Sequence, residues 1–232
     1  NLVYVGAGVS AREPGDPLAR ETLHHSPTLD WTLQTTVQSN GLTTDALDYV
    51  ELYSCFPCMP KLARRAIGWP LDKPMSVAGG LTFGGGPVGN YMSHAIAAMT
   101  QSLRAGGAHG LLFGNGGLAT TSHAIILSRD PAIAMRPRAA PSFNAVRAPV
   151  AQTEFFNDTA TTEIYTVFYD RDGAPRAGVI VARAPDSSRF LAHADAADTA
   201  LMALLTAGES DPVGARGQAR LGDDGLVRWR ML

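Results

Sequence analysis

The stretch Val77-Ala-Gly-Gly-Leu-Thr-Phe-Gly-Gly-Gly-Pro-Val-Gly-Asn-Tyr91 decides the fold, because it joins a short apolar run to a helix through a glycine loop. The helix is predicted over residues 90–103, and two apolar strands follow it at 110–113 and 124–127. Arg104 is the only formally charged side chain between residues 74 and 128, so these elements should form a buried layer. Strands and helices in this order indicate an α/β layer structure.

The residues before this stretch alternate strand-like and helical runs in the same way. Strands are predicted at residues 2–7, 45–52 and 75–78, and helices at 28–39 and 61–67. The chain opens on a strand-like run without an initiating methionine, so we expect it to be a fragment of a longer protein. Together these elements predict one α/β domain over residues 1–130.

A change of composition after residue 130 predicts a second domain. Residues 131–153 are rich in Pro, Ala and Arg, and their four prolines prevent any long helix, so we predict a linker. Residues 154–232 alternate short strands with turns and include one helix at 196–205, which indicates a small, mostly β domain of the OB-like type. Within it, residues 155–166 resemble a translated sequencing adapter, and no function is assigned to them.

The composition excludes several classes of protein. The 232-residue chain is 45% hydrophobic with a formal net charge of −2, and its basic residues form no stripe, so no nucleic-acid partner is expected. No apolar run reaches the roughly 18 residues that span a bilayer, so no membrane span is predicted. Two cysteines cannot build a disulfide framework of the secreted kind, and we predict a cytoplasmic protein.

Two local motifs allow more than one interpretation. Residues 84–89 fit the GxGxxG pattern, but no acidic residue lies between Asp72 and Asp130 to hold a ribose, which disfavours a dinucleotide site. The loop could instead offer backbone N–H groups to a phosphate, carboxylate or oxyanion, or merely allow close packing. Cys55 and Cys58 have CxxC spacing, which allows a redox pair or two inert thiols, and one such pair is poor support for zinc. No metal site is predicted.

Two histidines lie beside the glycine loops. His94 falls on the small-residue side of the predicted helix, and His123 follows the run Gly114-Asn-Gly-Gly117. A neutral histidine can act as a general base near neutral pH, so both are candidate catalytic residues. Each could instead be a core histidine with satisfied hydrogen bonds.

Four motifs together resemble the carboxy-terminal half of the thiolase superfamily: Glu51-Leu-Tyr-Ser-Cys-Phe-Pro57, residues 77–91, Ser93-His-Ala-Ile96 and Gly114-Asn-Gly-Gly117. The resemblance covers residues 1–130 in order and spacing. It is closest to bacterial thiolase-like proteins, often labelled acetyl-CoA acetyltransferases and related to the sterol-carrier thiolases, that append an OB-like domain. It implies half of a five-layer α/β fold, a mixed sheet with layered helices, whose missing amino-terminal half would carry the nucleophilic cysteine.

The resemblance also implies site residues and two departures from the family pattern. The Gly-His-Pro motif falls on Gly85-Gly86-Pro87 and the Cys-x-Gly motif on Gly114-Asn115-Gly116, so glycine replaces a histidine and a cysteine. The oxyanion loop falls on Tyr53-Ser54-Cys55-Phe56, which keeps only the last two residues of the His-Asp-Cys-Phe form. We therefore predict Cys55, His94 and His123 as catalytic residues. The predicted substrate- or oxyanion-binding residues are Tyr53, Ser54, Gly85, Gly86, Asn90, Asn115 and Gly116.

The resemblance supports three functional hypotheses. The leading one is acyl transfer, with carbon–carbon bond formation or cleavage on coenzyme A thioester substrates and no covalently bound cofactor. The second is a catalytically degenerate protein that binds a CoA ester or a partner chain. The third is a retro-aldol lyase that uses Tyr53, Tyr91 or His94 as its base. The expected partners are the acyl-CoA substrate, the missing amino-terminal half and further copies in a homo- or hetero-oligomer.

Overall fold

The computed structural model describes residues 1–135 and 149–232, which fall into two compact units. The first contains Asn1–Pro17 and His24–Arg147, and the second contains Leu18–Leu23 and Ala148–Leu232. The sequence did not predict that the short segment Leu18–Leu23 belongs with the second unit. Within the described ranges, no helix is long and apolar enough to cross a membrane.

The first unit is built on a four-stranded mixed sheet. Its strands are β1 (Tyr4–Arg12), β2 (Tyr49–Leu52), β3 (His109–Gly116) and β4 (Thr121–Ser128), in the order β1-β4-β3-β2. β2 runs parallel to β3, and the other neighbouring strands are antiparallel. The predicted mixed α/β architecture is confirmed.

Helices pack on both faces of this sheet. They are α1 (Pro27–Ser39), α2 (Cys58–Ile67), α3 (Leu81–Gly84) and α4 (Tyr91–Ala105). Successive side chains of a strand point to opposite faces. Accordingly, Leu111 and Phe113 of β3 pack in the core cluster that α1 and α2 cover, whereas Leu112 packs in a separate cluster with α4. The two faces of the sheet therefore have different surroundings.

Local sequence sets the ends of α1. Pro27 occupies the first helical turn, and the Ser26 hydroxyl accepts a hydrogen bond from the Leu29 amide at 3.1 Å. At the other end Asn40 is fully buried, and its side chain bonds the Ala7 amide at 2.8 Å and the Ala7 carbonyl at 3.0 Å. The helix thus ends where its cap also pairs with β1.

The strand predicted at residues 75–78 does not form. The Met75 carbonyl accepts from the Leu52 amide at 2.9 Å, so the segment does start alongside β2. The next amides do not continue a ladder, because Val77 and Ala78 donate to the carboxylate of Glu51 at 2.9 and 3.0 Å. A buried side chain therefore takes the hydrogen bonds that a strand would need.

Two other predicted elements differ in their details. The strand predicted at 45–52 begins only at Tyr49, because Thr44–Ala46 forms a 3₁₀ turn. In the helix predicted over residues 90–103, the apolar side chain of Ile96 is 44% exposed on α4. The buried residues of α4 are instead Tyr91, Ala95, Met99 and Leu103. Because this stripe faces the sheet, the opposite side of α4 has no core partner among the described residues.

The second unit is a closed five-stranded barrel. Its strands are β5 (Thr159–Tyr169), β6 (Pro175–Arg183), β7 (Arg189–Asp195), β8 (Arg216–Leu221) and β9 (Val227–Met231), in the order β5-β6-β7-β9-β8, with α5 (Thr199–Ala207) between β7 and β8. Phe190 and Trp229 lie in its core, with ring centroids 6.5 Å apart. The predicted small OB-like β domain is confirmed.

The segment before β5 was predicted to be a linker. Its first residues, Pro131–Met135, form a 3₁₀ turn whose Ile133 is buried in the core of the first unit. Residues 136–148 lie outside the described residues. The last part runs beside β7, where Arg189 donates from its amide to the Ala151 carbonyl at 2.8 Å. The linker assignment therefore stays a prediction over its central part.

Candidate functional site

The predicted site residues of the first unit gather mainly at one edge of its sheet. Because β2 and β3 are parallel, their carboxyl ends lie at the same edge. The loop that leaves β2 stays beside β3, since the Tyr53 amide donates to the Phe113 carbonyl at 3.1 Å. The hydroxyl of Ser54 accepts from the Leu81 amide at 3.1 Å, which brings the glycine segment to the same edge. Three loops that are distant in sequence therefore meet.

Cys55 and Asn115 form the central polar contact of this site. The Cys55 thiol donates to the Asn115 side-chain carbonyl across 2.7 Å, although the two residues are 60 positions apart. Burial raises the pKa of Cys55 and outweighs the lowering effect of the hydrogen bond with the Phe56 backbone. The sulfur is therefore a protonated thiol near neutral pH, suited to donating a proton rather than to unassisted nucleophilic attack.

The other end of the Asn115 amide has no partner. Its nitrogen Nδ2 is buried and makes no hydrogen bond to the described residues. An unmatched buried donor carries a desolvation cost, and such groups concentrate where a ligand or a second state supplies the partner. The site thus presents a thiol hydrogen and a free amide N–H side by side.

Glu51 organises the loop on the other face of the sheet. Its side chain is fully buried, yet no basic residue pairs with it in the described chain. The carboxylate accepts from the Ser76 hydroxyl at 2.8 Å, in addition to the two amides of residues 77 and 78. It also accepts from the Tyr91 hydroxyl at 2.8 Å. One carboxylate therefore joins β2, the segment before the glycine loop and the start of α4.

Tyr91 is held in its neutral form by this contact. Burial, followed by the hydrogen bond to the Glu51 carboxylate, raises the pKa of Tyr91 to about 12. Its ring lies against that of Tyr53, with centroids 5.1 Å apart and an interplanar angle of 39°. A phenol with this pKa is a poor general base near neutral pH. This placement weighs against Tyr91 as the base of a lyase.

The glycine loop between α3 and α4 leaves open space at the site. Gly85 has a φ of 67°, a left-handed conformation that glycine adopts without strain. A β-carbon added at Gly85 or Gly86 would meet no described heavy atom within 4 Å. Phe83 and Val88 of the same loop are 86% and 95% exposed, which is unusual for large apolar side chains. The position of the family's histidine is therefore an open space beside exposed apolar groups.

The two histidines lie apart from the thiol. His94 is exposed in the first turns of α4, where its Nε2 lies 3.3 Å from the Asn90 amide nitrogen. His123 pairs with Gly114 across β3 and β4, so both face α4, whereas Asn115 points to the opposite face. His123 lines a groove of about 380 Å³ between α4 and the sheet. No hydrogen bond joins Cys55 to either histidine among the described residues.

The remaining predicted residues are placed as follows. Gly116 ends β3 next to Asn115, and a β-carbon there would lie 2.9 Å from the Thr121 hydroxyl. Cys58 is exposed at the start of α2, and both cysteines are free thiols. Their roles, like those of the histidines, stay predictions. Sequence reasoning missed Glu51 as a site residue, although its place between Val50 and Leu52, in the motif that carries the resemblance, was a usable signal.

Comparisons with known proteins match both units. Residues 140–225 match the family model described as the thiolase-like protein type 1 additional C-terminal domain. The structure is similar to the crystal structure of a monomeric SCP2-thiolase-like protein type 1 from Mycobacterium smegmatis, with a TM-score of 0.83 and 31% sequence identity over 99% of this chain. The chain spans 51% of that protein's length. A sequence comparison with curated proteins found no match.

Two thiolases show weaker similarity. The peroxisomal 3-ketoacyl-CoA thiolase of Saccharomyces cerevisiae is 17% identical, with a TM-score of 0.43 over 56% of this chain and 35% of its own. The human mitochondrial 3-ketoacyl-CoA thiolase in complex with CoA is 17% identical, with a TM-score of 0.39 over 53% and 29%. These two carry no argument about function. From the type 1 comparisons, the chain has a thiolase-like fold, and residues 140–225 resemble the type 1 additional C-terminal domain.

Proposed function

We propose that this chain is the carboxy-terminal part of a thiolase-like protein that binds coenzyme A thioesters and takes part in acyl transfer, with Cys55 as the group that moves the proton. The observation that carries the proposal is the protonated Cys55 thiol, hydrogen-bonded at 2.7 Å to Asn115 where β3 ends. Asn115 lies between two glycines that stand where the resemblance places the family's late cysteine motif. The Cys55 thiol would supply the proton in place of that missing cysteine, from the opposite face of the sheet to Gly114.

The proposed chemistry is cleavage of a β-ketoacyl-CoA, or its reverse. A nucleophile from the amino-terminal half attacks the keto carbon, and the adjacent carbon–carbon bond breaks. The departing carbanion takes the proton of Cys55, and the resulting thiolate recovers a proton from the thiol of free CoA, which then attacks the acyl group. General acid–base help of this kind contributes about 10²–10⁴-fold to a rate. In condensation the same proton moves in the opposite direction.

The other site residues have supporting roles in this proposal. The glycine loop offers backbone N–H donors for the thioester oxygen, where developing negative charge is stabilised most effectively. His94 follows the glycine loop in the first turns of α4 and is a candidate base for the substrate. His123 faces the groove along α4, on the opposite face from Asn115. The two free thiols fit a reducing compartment such as the cytoplasm.

A catalytically degenerate protein that binds CoA esters is the second candidate. The observation that favours it is the pair of glycines, Gly86 and Gly114, that stand where the family pattern has a histidine and a cysteine. A binder of this kind would keep the loops and Glu51 but turn nothing over. Retro-aldol cleavage is the weaker alternative, because the pKa of about 12 disfavours Tyr91 as its base.

Calorimetry and a turnover assay separate these candidates. The chain is titrated with acetyl-CoA, with free CoA and with acetyl phosphate as the control that lacks the CoA moiety. The chain fused to an amino-terminal thiolase half is then incubated with acetoacetyl-CoA, as wild type and as Cys55→Ser. Acyl transfer predicts binding and a cleavage rate that Cys55→Ser lowers at least about 100-fold. Binding without turnover selects the degenerate binder, and no binding of any CoA compound rejects both.

A further inference from the structure

We infer that Asn115 is a positioning residue that supports both protonation states of Cys55 by turning either end of its amide toward the sulfur. This role rests on the proposed function, because it makes the Cys55 thiol able to give up and regain its proton. It gives a purpose to the buried nitrogen Nδ2, which otherwise has no partner among the described residues. Only a proton moves, between the sulfur and a substrate carbon, so no further reactant is required.

The geometry provides the two orientations. In the structure the carbonyl end, Oδ1, accepts from the Cys55 thiol at 2.7 Å. A half-turn about the last side-chain bond exchanges Oδ1 with Nδ2, and the two ends of an amide are nearly equal in size. The cavity that holds one orientation therefore holds the other. After the turn, an N–H group points at the sulfur.

The chemistry of the two orientations matches the two states of the sulfur. A thiol is a donor and needs the carbonyl, whereas a thiolate is an acceptor and needs the N–H group. A hydrogen bond to a charged partner is about twice as strong as one between neutral groups. The amide therefore stabilises the thiolate more than the thiol. A carboxylate at position 115 could accept from the thiol but could not donate to the thiolate.

Few other groups influence the pKa of Cys55. Burial raises its pKa most, and Cys58 at the start of α2 raises it further through charge repulsion. The strand β3 presents Asn115, which is uncharged, and the carboxylate of Glu51 bonds to Tyr91 on the α4 face of the sheet. Replacing Cys58 by serine removes the second thiol, so that Cys55 is then the chain's only cysteine.

The test measures alkylation of Cys55 by iodoacetamide from neutral to alkaline pH in the Cys58→Ser background. Asn115→Leu removes both ends of the amide, and Asn115→Asp keeps an acceptor but adds a negative charge. We expect the midpoint of the pH–rate curve to rise by about one unit in Asn115→Leu, and further in Asn115→Asp. Ser122→Ala is the matched control, because Ser122 lies opposite Asn115 on β4 and faces the same side. Its midpoint should not change.

The role of Asn115 would be overturned if the midpoint of the pH–rate curve in Asn115→Leu is equal to or below that of the Cys58→Ser parent. Thermal melting shows which variants fold, and Asn115→Ala, which also removes both ends of the amide, keeps the test decisive if the leucine variant does not fold. Acetyl-CoA calorimetry on the same proteins separates this role from the proposed function. Absence of CoA binding in the parent rejects the proposed function, whereas an unmoved thiol titration rejects the amide as its positioning residue.

Discussion

Replacing Glu51 by leucine should release the segment that leads into the glycine loop. The carboxylate accepts from two amides and two hydroxyls, those of Val77, Ala78, Ser76 and Tyr91. The hydroxyls can rotate toward other acceptors, but the two amides cannot. Each buried donor left without a partner costs about 1–3 kcal/mol. The free energy that keeps this segment closed should therefore fall by about 3–5 kcal/mol. At 1.4 kcal/mol per factor of ten, this is at least about a 100-fold change in local opening.

Hydrogen exchange followed by mass spectrometry measures this opening directly. We expect residues 75–80 to exchange at least about 100-fold faster in Glu51→Leu, because their amides lose the carboxylate. Glu51→Gln keeps one carbonyl for the amides and should increase exchange only about tenfold. Peptides from β6 in the second unit are the internal control, and Tyr91→Phe should leave the two amides protected. Unchanged exchange at residues 75–80 in Glu51→Leu would refute this account of the loop.

Four other substitutions test different parts of the structure. Gly86→His should leave the melting temperature nearly unchanged, because a β-carbon there meets open space. Gly110→Ala should lower the free energy of unfolding by about 1–3 kcal/mol, because the new β-carbon would overlap a buried methionine. Gly217→Ala should destabilise the barrel by a similar amount, since the new β-carbon would overlap the indole of Trp229, and a lower melting temperature in circular dichroism would show it. The Tyr91 hydroxyl has a pKa raised from 10.0 to about 12, so its stabilisation is complete below pH 10 and is lost as pH rises toward 12. Urea unfolding should therefore show a smaller alkaline loss of stability in Tyr91→Phe.

The strands and helices were predictable where a segment carries a continuous apolar run or clear start and stop signals. The strands that became β3 and β4 are continuous apolar runs, and α1 carries its own start and stop signals in Ser26 and Asn40. Residues 75–78 were also predicted to be a strand but did not form one, because a carboxylate 26 positions away takes the amide of Val77. Strand propensity is a property of the local sequence. It does not account for a hydrogen-bond acceptor that comes close only when the chain folds.

The site was predictable as a set of loops but not as a set of contacts. The family resemblance pointed to Cys55, Asn115 and the glycine loop, and the parallel pairing of β2 with β3 brings their loops to one edge. The same resemblance pointed to His123, which the pleat of β4 directs to the other face of the sheet. A shift of one position along a strand moves a side chain to the other face of the sheet, and the register of the strand sets which face it takes.

The sequence by itself therefore determined the order of the α/β elements, the following barrel and the glycines that replace two family residues. The tertiary structure alone decided that the Cys55 thiol meets the Asn115 amide, that Glu51 anchors the glycine segment and that neither predicted histidine bonds to the thiol. The physical reason is distance along the chain. Periodicity and turn chemistry act over a few residues, whereas Cys55 and Asn115 are 60 residues apart and are brought together by sheet pairing and burial.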